Sequence, residues 1–172
     1  MKILISGRPG VGKTTLILRI VEYLKLKNIT FCGFITPEIR KNGYRIGFKV
    51  VDLCTGKKFI LATTEKISNH KIGKYYVDID TFCDYISEIT GRISDYDVIL
   101  VDEIGKMEFM CDKFQKFILN ILKSDKIFIG TIHRRLVGKF KDKVEVIWLN
   151  EGNRRFILEE IKVKIDKFLG SS

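Results

Sequence analysis

The sequence has few of the residues that build metal centres and no long apolar run. Among its 172 residues are two histidines and four cysteines, Cys32, Cys54, Cys83 and Cys111, without a Cys-x-x-Cys pair. This scatter argues against a zinc site and predicts buried free thiols in a reducing cytosol. No apolar run is long enough to cross a membrane, and the chain opens on a predicted strand rather than a signal peptide. We therefore expect a cytoplasmic protein with no membrane partner.

Linkers, repeats and low-complexity tracts are also missing. The chain contains only two prolines, and no Pro-, Gly- or Ser-rich stretch separates one part from another. A length of 172 residues is enough to bury one core. We therefore expect a single domain over residues 1–172 that is a monomer or a weak oligomer.

The 31 lysines and arginines outnumber the 21 aspartates and glutamates, and the formal net charge is +10. Such a charge attracts polyanions, which makes a nucleic-acid partner possible. The lysines are spread along the chain rather than grouped in one block, however, and a Lys-, Glu- and Ile-rich composition also suits a heat-adapted protein. A nucleic-acid partner is therefore possible but not expected.

Residues 7–14 form the most informative motif in the chain. Their sequence, Gly-Arg-Pro-Gly-Val-Gly-Lys-Thr, fits the phosphate-loop pattern G-x-x-x-x-G-K-[ST] at every required position. An apolar strand is predicted before it at residues 2–6, and a helix after it at residues 15–25. Lys13 can reach the β- and γ-phosphates, and the Thr14 hydroxyl can ligate Mg²⁺. The motif predicts a phosphate-binding site.

Strands and helices alternate along the rest of the chain. Predicted strands cover residues 30–36, 44–53, 57–62, 96–101, 126–132 and 144–149, with a polar loop at 63–75. Predicted helices start at Asp80 or Thr81 and run to about residue 93, then cover the apolar stripe from Phe114 to Leu122, and finally follow a cap at Asn150. This order predicts an α/β fold with a mostly parallel sheet, helices on both faces and a central β-hairpin insertion.

A second candidate site ends the predicted strand at residues 96–101. Asp102 follows the strand and can hold Mg²⁺, and Glu103 is placed to orient or deprotonate a water that attacks the γ-phosphate. An acid directly after the metal-binding Asp resembles the RecA/AAA-type branch of P-loop proteins, in which another strand separates the two motif strands. Residues 126–132 are the candidate for that strand, and they bring Thr131 close to the nucleotide.

Residues 102–108, Asp-Glu-Ile-Gly-Lys-Met-Glu, resemble the signature of the cancer-related nucleoside-triphosphatase family. Further matches occur between residues 33 and 48 and at Asn153-Arg154, so the resemblance covers nearly the whole chain. The chain departs from the family pattern at His133, where proline is common. The resemblance implies slow, Mg²⁺-dependent hydrolysis of ATP, GTP, CTP and UTP or TTP with broad base specificity.

Three residues in the matched segments have chemistry that allows two interpretations. Arg40 can stabilise charge near the phosphates or form a surface ion pair. Lys106 can neutralise charge in the transition state or pair with Glu108. Arg154 opens the last helix, where a cation opposes the helix dipole, which hints at a nearby anion. Phe34 and Phe48 are predicted to be core residues rather than base-stacking platforms. The candidate nucleotide-binding residues are Gly7, Arg8, Pro9, Gly10, Val11, Gly12, Lys13, Thr14, Thr15, Arg40, Asp102, Glu103, Lys106 and Arg154.

Hydrolysis of free nucleotides is the leading interpretation, with Lys13 and Glu103 as catalytic residues. The alternatives are a P-loop small-molecule or nucleotide kinase, in which Arg134 and Arg135 belong to a lid, and a nucleotide-dependent switch that binds nucleic acid. A placement of Glu103 to activate water argues against the kinase, because a kinase excludes water. The guanine-reading Asn-Lys-x-Asp motif is absent from the sequence, which argues against a regulatory GTPase.

Overall fold

The computed structural model describes residues 1–170. Its strands are β1 (Lys2–Gly7), β2 (Phe31–Ile35), β3 (Glu38–Lys41), β4 (Tyr44–Asp52), β5 (Lys58–Thr63), β6 (Lys71–Ile72), β7 (Tyr75–Val77), β8 (Val98–Ile104), β9 (Ile127–Ile132) and β10 (Glu145–Leu149). Its α-helices are α1 (Lys13–Leu26), α2 (Ile79–Thr90), α3 (Asp112–Lys123) and α4 (Arg154–Gly170). Within residues 1–170, no helix is both long and apolar enough to span a membrane.

The strands form one mixed sheet in the order β10-β1-β9-β8-β2-β4-β5-β7-β6, with β3 paired to β4. The strands from β10 to β2 run parallel, whereas β4 and the strands beyond it pair antiparallel. The predicted α/β fold is confirmed. The strand predicted to lie between the two motif strands is β9, because it pairs with both β1 and β8.

Two apolar layers cover the two faces of the sheet. Helices α2 and α3 pack on one face with Ile99 and Val101 of β8, and helices α1 and α4 pack on the other with Val98 and Leu100. A strand covered on both faces reads as a continuous apolar run, which is why this part of β8 shows no polar alternation. The parallel arrangement brings the C-terminal ends of β1 and β8 to the same edge of the sheet.

Several boundaries differ from those predicted. Asp78, not Asp80 or Thr81, caps α2, and its side chain accepts a hydrogen bond from the Thr81 N–H. Asn150 does not cap α4 directly: its side chain accepts from the N–H groups of Gly152 and Asn153 in the preceding turn. The segment predicted as a loop at 63–75 contains β6, and polar, exposed β3 was not predicted because it lacks an apolar alternation.

The expectation of free thiols is wrong. The four cysteines form two disulfides, Cys32–Cys54 and Cys83–Cys111, with Cα–Cα distances of 5.2 and 5.7 Å. The partners are separated by 22 and 28 positions in the chain. Sequence spacing carries no information about this pairing, because it is the packing of β2 beside β4, and of α2 beside the segment before α3, that brings the cysteines together.

Candidate active site

The phosphate loop joins the end of β1 to the start of α1. Gly10 and Gly12 have φ angles of 75° and 102°, which disfavour residues with a side chain. A methyl group on Gly7 would lie 2.7 Å from the Leu149 carbonyl oxygen, so this position also requires glycine. The Val11 N–H donates to the Arg8 carbonyl oxygen at 3.2 Å and closes a turn inside the loop. The glycines of the motif are thus explained by backbone geometry.

The N-terminus of α1 is open to an anion. Gly12 occupies the N-cap position, no side chain caps the helix, and its first turn contains no acidic residue. The unpaired N–H groups and the helix dipole together favour a phosphate at this end. The Lys13 ammonium donates to the carbonyl oxygens of Gly7 and Arg8, both at 3.2 Å, and is therefore held over the loop.

Asp102 is the centre of a hydrogen-bond cluster that links the two motifs. The Thr14 hydroxyl donates to Asp102 Oδ2 at 2.8 Å, and the Thr131 hydroxyl donates to Oδ1 at 2.5 Å. The Thr36 hydroxyl donates to the Asp102 carbonyl oxygen at 2.8 Å. These threonines come from α1, from β9 and from the turn after β2, so the cluster depends on the parallel strand order.

Burial dominates the electrostatics of the two acids at the end of β8. The Asp102 side chain is buried, and this raises its pKa, while the Thr131 and Thr14 hydroxyl groups and the Lys13 charge oppose the rise. Burial also raises the pKa of Glu103, and the adjacent Asp102 carboxyl raises it further, against the Lys13 charge. A carboxyl with a raised pKa is better suited to accept a proton near neutral pH.

A cleft of about 660 Å³ runs from the phosphate loop to the β3–β4 hairpin. Ten of the predicted residues line it: Gly7, Pro9, Gly10, Gly12, Lys13, Thr14, Thr15, Arg40, Asp102 and Glu103. The structure therefore brings the phosphate loop, Asp102 and Glu103 to one cavity. Arg40 lies on its far side, where its guanidinium donates to Glu38 Oε2 from Nη2 at 2.7 Å and from Nε at 3.0 Å.

The remaining candidates, Arg8, Val11, Lys106 and Arg154, do not line the cleft. Arg8 is exposed in the loop. Val11 is buried under the loop. Arg154 lies against the loop, because a methyl group on Gly12 would be 3.5 Å from its Nε. Lys106 is exposed but close to His133: burial first, and then the charges of neighbouring cations that include Lys106, lower the pKa of this imidazole. His133 itself lines the cleft.

Several cleft residues were missed by sequence reasoning. They are Thr36, Pro37, Glu38, Arg45, Phe48 and Arg134. Phe34 is a core residue as predicted, but Phe48 is half-buried and lines the cleft. The Asn42-Gly43 turn was a usable signal, since a hairpin at this turn places Arg45 directly opposite Arg40.

Glu108, which the sequence analysis named only as a possible partner of Lys106, is a further acid near the site. Its carboxyl is buried, and a methyl group on Gly105 would lie 2.8 Å from its Oε2. Burial, followed by the charges of Glu103 and Asp102, raises the pKa of Glu108 to about 8 against the effect of nearby peptide N–H groups. This part of the protein therefore holds three electrostatically coupled carboxyl groups.

Comparison with known proteins identifies the family. The sequence pattern of the family described as NTPase matches residues 2–162, which includes both motifs. The chain belongs to this NTPase family. The predicted resemblance is confirmed, and so is the predicted enzyme class of nucleoside-triphosphatase.

Relatives of this NTPase match it over nearly their whole lengths. The nucleoside-triphosphatase THEP1 of Methanocaldococcus jannaschii is 45% identical, with coverage of 96% of this chain and 97% of that protein. THEP1 of Pyrococcus abyssi is 39% identical, with coverage of 99% and 95%.

Two solved structures share the fold of this NTPase. The crystal structure of THEP1 from the hyperthermophile Aquifex aeolicus has a TM-score of 0.80 and 35% identity, covering 94% of this chain and 96% of that chain. The solution structure of a human cancer-related nucleoside triphosphatase has a TM-score of 0.79 and 30% identity, covering 96% and 97%.

Proposed function

We propose that this NTPase is one domain over residues 1–172 that hydrolyses nucleoside 5′-triphosphates with Mg²⁺ and little discrimination between bases. One observation carries the proposal: an open helix N-terminus, the Thr14–Asp102 pair at 2.8 Å and the Glu103 carboxyl meet at one cleft. The names of the relatives support the substrate class.

The oxygen donors at Thr14 and Asp102 fit Mg²⁺, which prefers one or two carboxylates together with substrate phosphates and water. In the described part of the chain no cluster of three or more His, Cys, Asp or Glu side chains could hold a metal, so this pair needs the nucleotide to complete the coordination. When bound, Mg²⁺ neutralises charge on the β- and γ-phosphates.

In the proposed reaction, the loop N–H groups and Lys13 bind the phosphate oxygens and stabilise the charge that develops on the leaving diphosphate. Glu103 orients a water and accepts its proton as the water oxygen bonds to the γ-phosphorus. The bond between that phosphorus and the β–γ bridging oxygen breaks, and the products are diphosphate and phosphate.

Broad base specificity follows from where the contacts lie. The binding groups described above all address phosphate, which is the same on every nucleoside triphosphate. The Asn153 amide, one candidate for reading a base, is already used, because it donates to the Trp148 carbonyl oxygen at 2.9 Å and accepts from the Asn150 N–H at 2.8 Å. Sharp discrimination requires buried groups that one base satisfies and another leaves unpaired.

The test is phosphate release from ATP, GTP, CTP and UTP by the pure protein, with Mg²⁺ and with EDTA. We expect hydrolysis of all four within about tenfold in kcat/KM, since a tenfold difference corresponds to only about 1.4 kcal/mol, and we expect loss of activity in EDTA. A preference above roughly 10³-fold, or about 4 kcal/mol, would contradict broad specificity.

Lys13→Ala is the matching active-site variant. Removal of one charge-stabilising donor typically lowers kcat by about 10²–10³-fold, with less effect on nucleotide binding. The control is Lys25→Ala on the exposed side of α1, which should hydrolyse at the wild-type rate. Near-wild-type turnover of Lys13→Ala would remove the phosphate loop from the mechanism.

A further inference from the structure

Three arginines of the described chain line the cleft, and they differ in how their donors are used. Arg40 and Arg45 both donate to the Glu38 carboxylate, and each has a second protein acceptor in or beside the hairpin. Arg134, the third, forms no side-chain hydrogen bond or ion pair with any other group in residues 1–170. Its five N–H donors are therefore available to a ligand of the cleft.

The strand order places Arg134 between the two halves of the proposed active site. Arg134 follows β9, which pairs with β1 on one side and with β8 on the other. The phosphate loop follows β1, and Asp102 and Glu103 lie near the end of β8. Parallel strands bring their C-terminal ends to one edge of a sheet, where ligands bind. The chain that leaves β9 therefore emerges between the loop and the two acids, where the γ-phosphoryl group reacts in the proposed hydrolysis.

The backbone that carries Arg134 is tied to both neighbouring strands. The Ser6 hydroxyl of β1 donates to the Ile132 carbonyl oxygen at 3.1 Å, and the His133 N–H donates to the Ile104 carbonyl oxygen of β8 at 3.0 Å. His133 is the position at which the chain departs from the family pattern, and proline could not make the second bond because it has no N–H. A side chain that starts from a fixed backbone can be aimed precisely.

Positive charge gathers around this segment. Burial, and then the charges of Arg135, Arg134, Lys106 and Lys13, lower the pKa of the His133 imidazole, so all four cations lie near one side chain. In the described part of the chain none of these four cations forms an ion pair. Cations that gather without ion pairs favour an anionic ligand such as a triphosphate.

We propose that Arg134 is a further catalytic residue, whose guanidinium donates to the γ-phosphoryl oxygens while the bond to the leaving diphosphate breaks. The inference rests on the proposed hydrolysis and adds a second charge-stabilising side chain to Lys13. A planar guanidinium matches phosphate oxygens with two parallel hydrogen bonds. Arg135 and Lys106 carry the same charge but do not line the cleft, so the role falls to Arg134.

An exposed arginine without a protein partner suits a role in the transition state. Fixing such a long side chain costs conformational entropy, which a weak contact with the ground state does not offset. In phosphoryl transfer, negative charge shifts on the γ-phosphoryl and bridging oxygens as the bond breaks, and positive charge placed there lowers the barrier. Arg134 should therefore contribute more to kcat than to nucleotide affinity.

Arg134→Ala tests the assignment in the full chain with Mg²⁺ and ATP. Loss of one charge-stabilising donor should lower kcat by about 10²–10³-fold, whereas the Kd for Mg-ADP should stay near the wild-type value because ADP has no γ-phosphoryl group. Arg134→Lys should recover part of the rate, since it keeps the charge but not the fork. Arg135→Ala is the matched control: it removes the same charge from the next exposed position and should hydrolyse at the wild-type rate.

Two further measurements separate catalysis from structure. Guanidinium ion at millimolar concentration, below denaturing conditions, should restore part of the kcat of Arg134→Ala, because it replaces the missing group. Aluminium fluoride with Mg-ADP imitates the transferring phosphoryl group, and a residue that acts in the transition state binds such an analogue more tightly than the ground state. Its inhibition should therefore weaken in Arg134→Ala by a factor close to the loss in kcat.

Phosphate release from ATP by the wild-type protein tests the hydrolase independently of Arg134. If the wild type hydrolyses ATP and Arg134→Ala does so at the same rate, the assignment of Arg134 fails while the hydrolase proposal stands. An equal loss in Arg135→Ala would also overturn it, because surface charge in general would then be responsible. A fall in kcat without guanidinium rescue and with unchanged inhibition by aluminium fluoride would assign Arg134 to the fold. No hydrolysis by the wild type would overturn both proposals.

Discussion

Glu103 and Asp102 are adjacent carboxyl residues at the end of β8 with different surroundings. Asp102 accepts two threonine hydroxyl groups on its side chain, whereas Glu103 faces the cleft with a pKa raised by burial and by Asp102. The difference fits the proposed roles, in which Asp102 is a metal ligand and Glu103 is a proton acceptor.

Glu103→Gln tests this division at a single residue. The amide keeps the shape but cannot accept the proton, so kcat should fall by about 10²–10⁴-fold, while the Kd for Mg-nucleotide stays near the wild-type value. Phosphate release measured at fixed times gives kcat, and nucleotide titration gives the Kd. Glu88→Gln, at an exposed position of α2, is the control. A collapse of nucleotide affinity together with turnover would make Glu103 a ligand or a structural residue.

Glu108 gives the protein a pH-dependent stability. Burial and the nearby acids raise its pKa from 4.5 to about 8 in the folded state. Between these values the native protein holds a proton that the unfolded chain has released. The stability from this group is therefore full below pH 4.5 and is lost as pH rises through about 8.

Glu108→Gln should flatten that decline, because the amide does not titrate and has the shape of the protonated acid. Each unit of pKa difference corresponds to about 1.4 kcal/mol of unfolding free energy. Urea unfolding at pH 5, 6, 7 and 8, in EDTA and without nucleotide, measures the slope. Glu151→Gln, at an exposed position, is the control. Parallel curves for wild type and Glu108→Gln would show that Glu108 does not titrate in this range.

At the scale of elements, β2 and β8 approach more closely than a side chain allows. Gly33 has a φ of 138°, and a methyl group there would lie 1.8 Å from the Leu100 carbonyl oxygen of β8. In the same register Ile35 pairs with Asp102, which places Thr36 beside Asp102.

Gly33→Ala should destabilise the protein by at least about 3 kcal/mol, because overpacking and backbone strain add. Gly91→Ala is the matched control: Gly91 has right-handed helical geometry, and its nearest neighbour to an added methyl group is at 3.5 Å. That variant should change stability by less than about 1 kcal/mol. Thermal or urea unfolding compares the two, and similar values for both would contradict the close approach.

Elements with a strong physical signature could be predicted from the sequence. The phosphate loop could be located because glycine is required by its backbone, and β8 because both of its faces are buried. The β3–β4 side of the cleft was not predicted, since β3 is polar and exposed and only the Asn42-Gly43 turn indicates how it pairs with β4. The burial of Glu108 was not predicted for a similar reason, because it follows from tertiary packing.

At the scale of the whole molecule, the two disulfides connect segments that the fold brings together from distant positions. Closure of chain segments of 22 and 28 residues stabilises by about 3.5 kcal/mol each in the loop-entropy description. The first disulfide joins β2 to the turn after β4, and the second joins α2 to the segment before α3.

Thiol titration in denaturant without reductant should therefore detect no free thiol. Cys32→Ala with Cys54→Ala should lower the unfolding free energy by about 2–4 kcal/mol, and so should the pair Cys83→Ala with Cys111→Ala. The wild-type protein reduced with dithiothreitol is the comparison for both. Four titratable thiols in the unreduced protein would restore the expectation of free cysteines.

The three threonine hydroxyl groups around Asp102 have a consequence for redesign. Thr14 and Thr131 anchor the carboxylate to the phosphate loop and to β9, and Thr36 is the last anchor before the chain enters the hairpin. All three threonines therefore lie outside the β3–β4 hairpin, two of them before it in the chain and Thr131 after it. A hairpin with a different sequence can replace it after Thr36 with these three anchors retained. One side of the cleft can thus change while the phosphate-binding side is inherited intact.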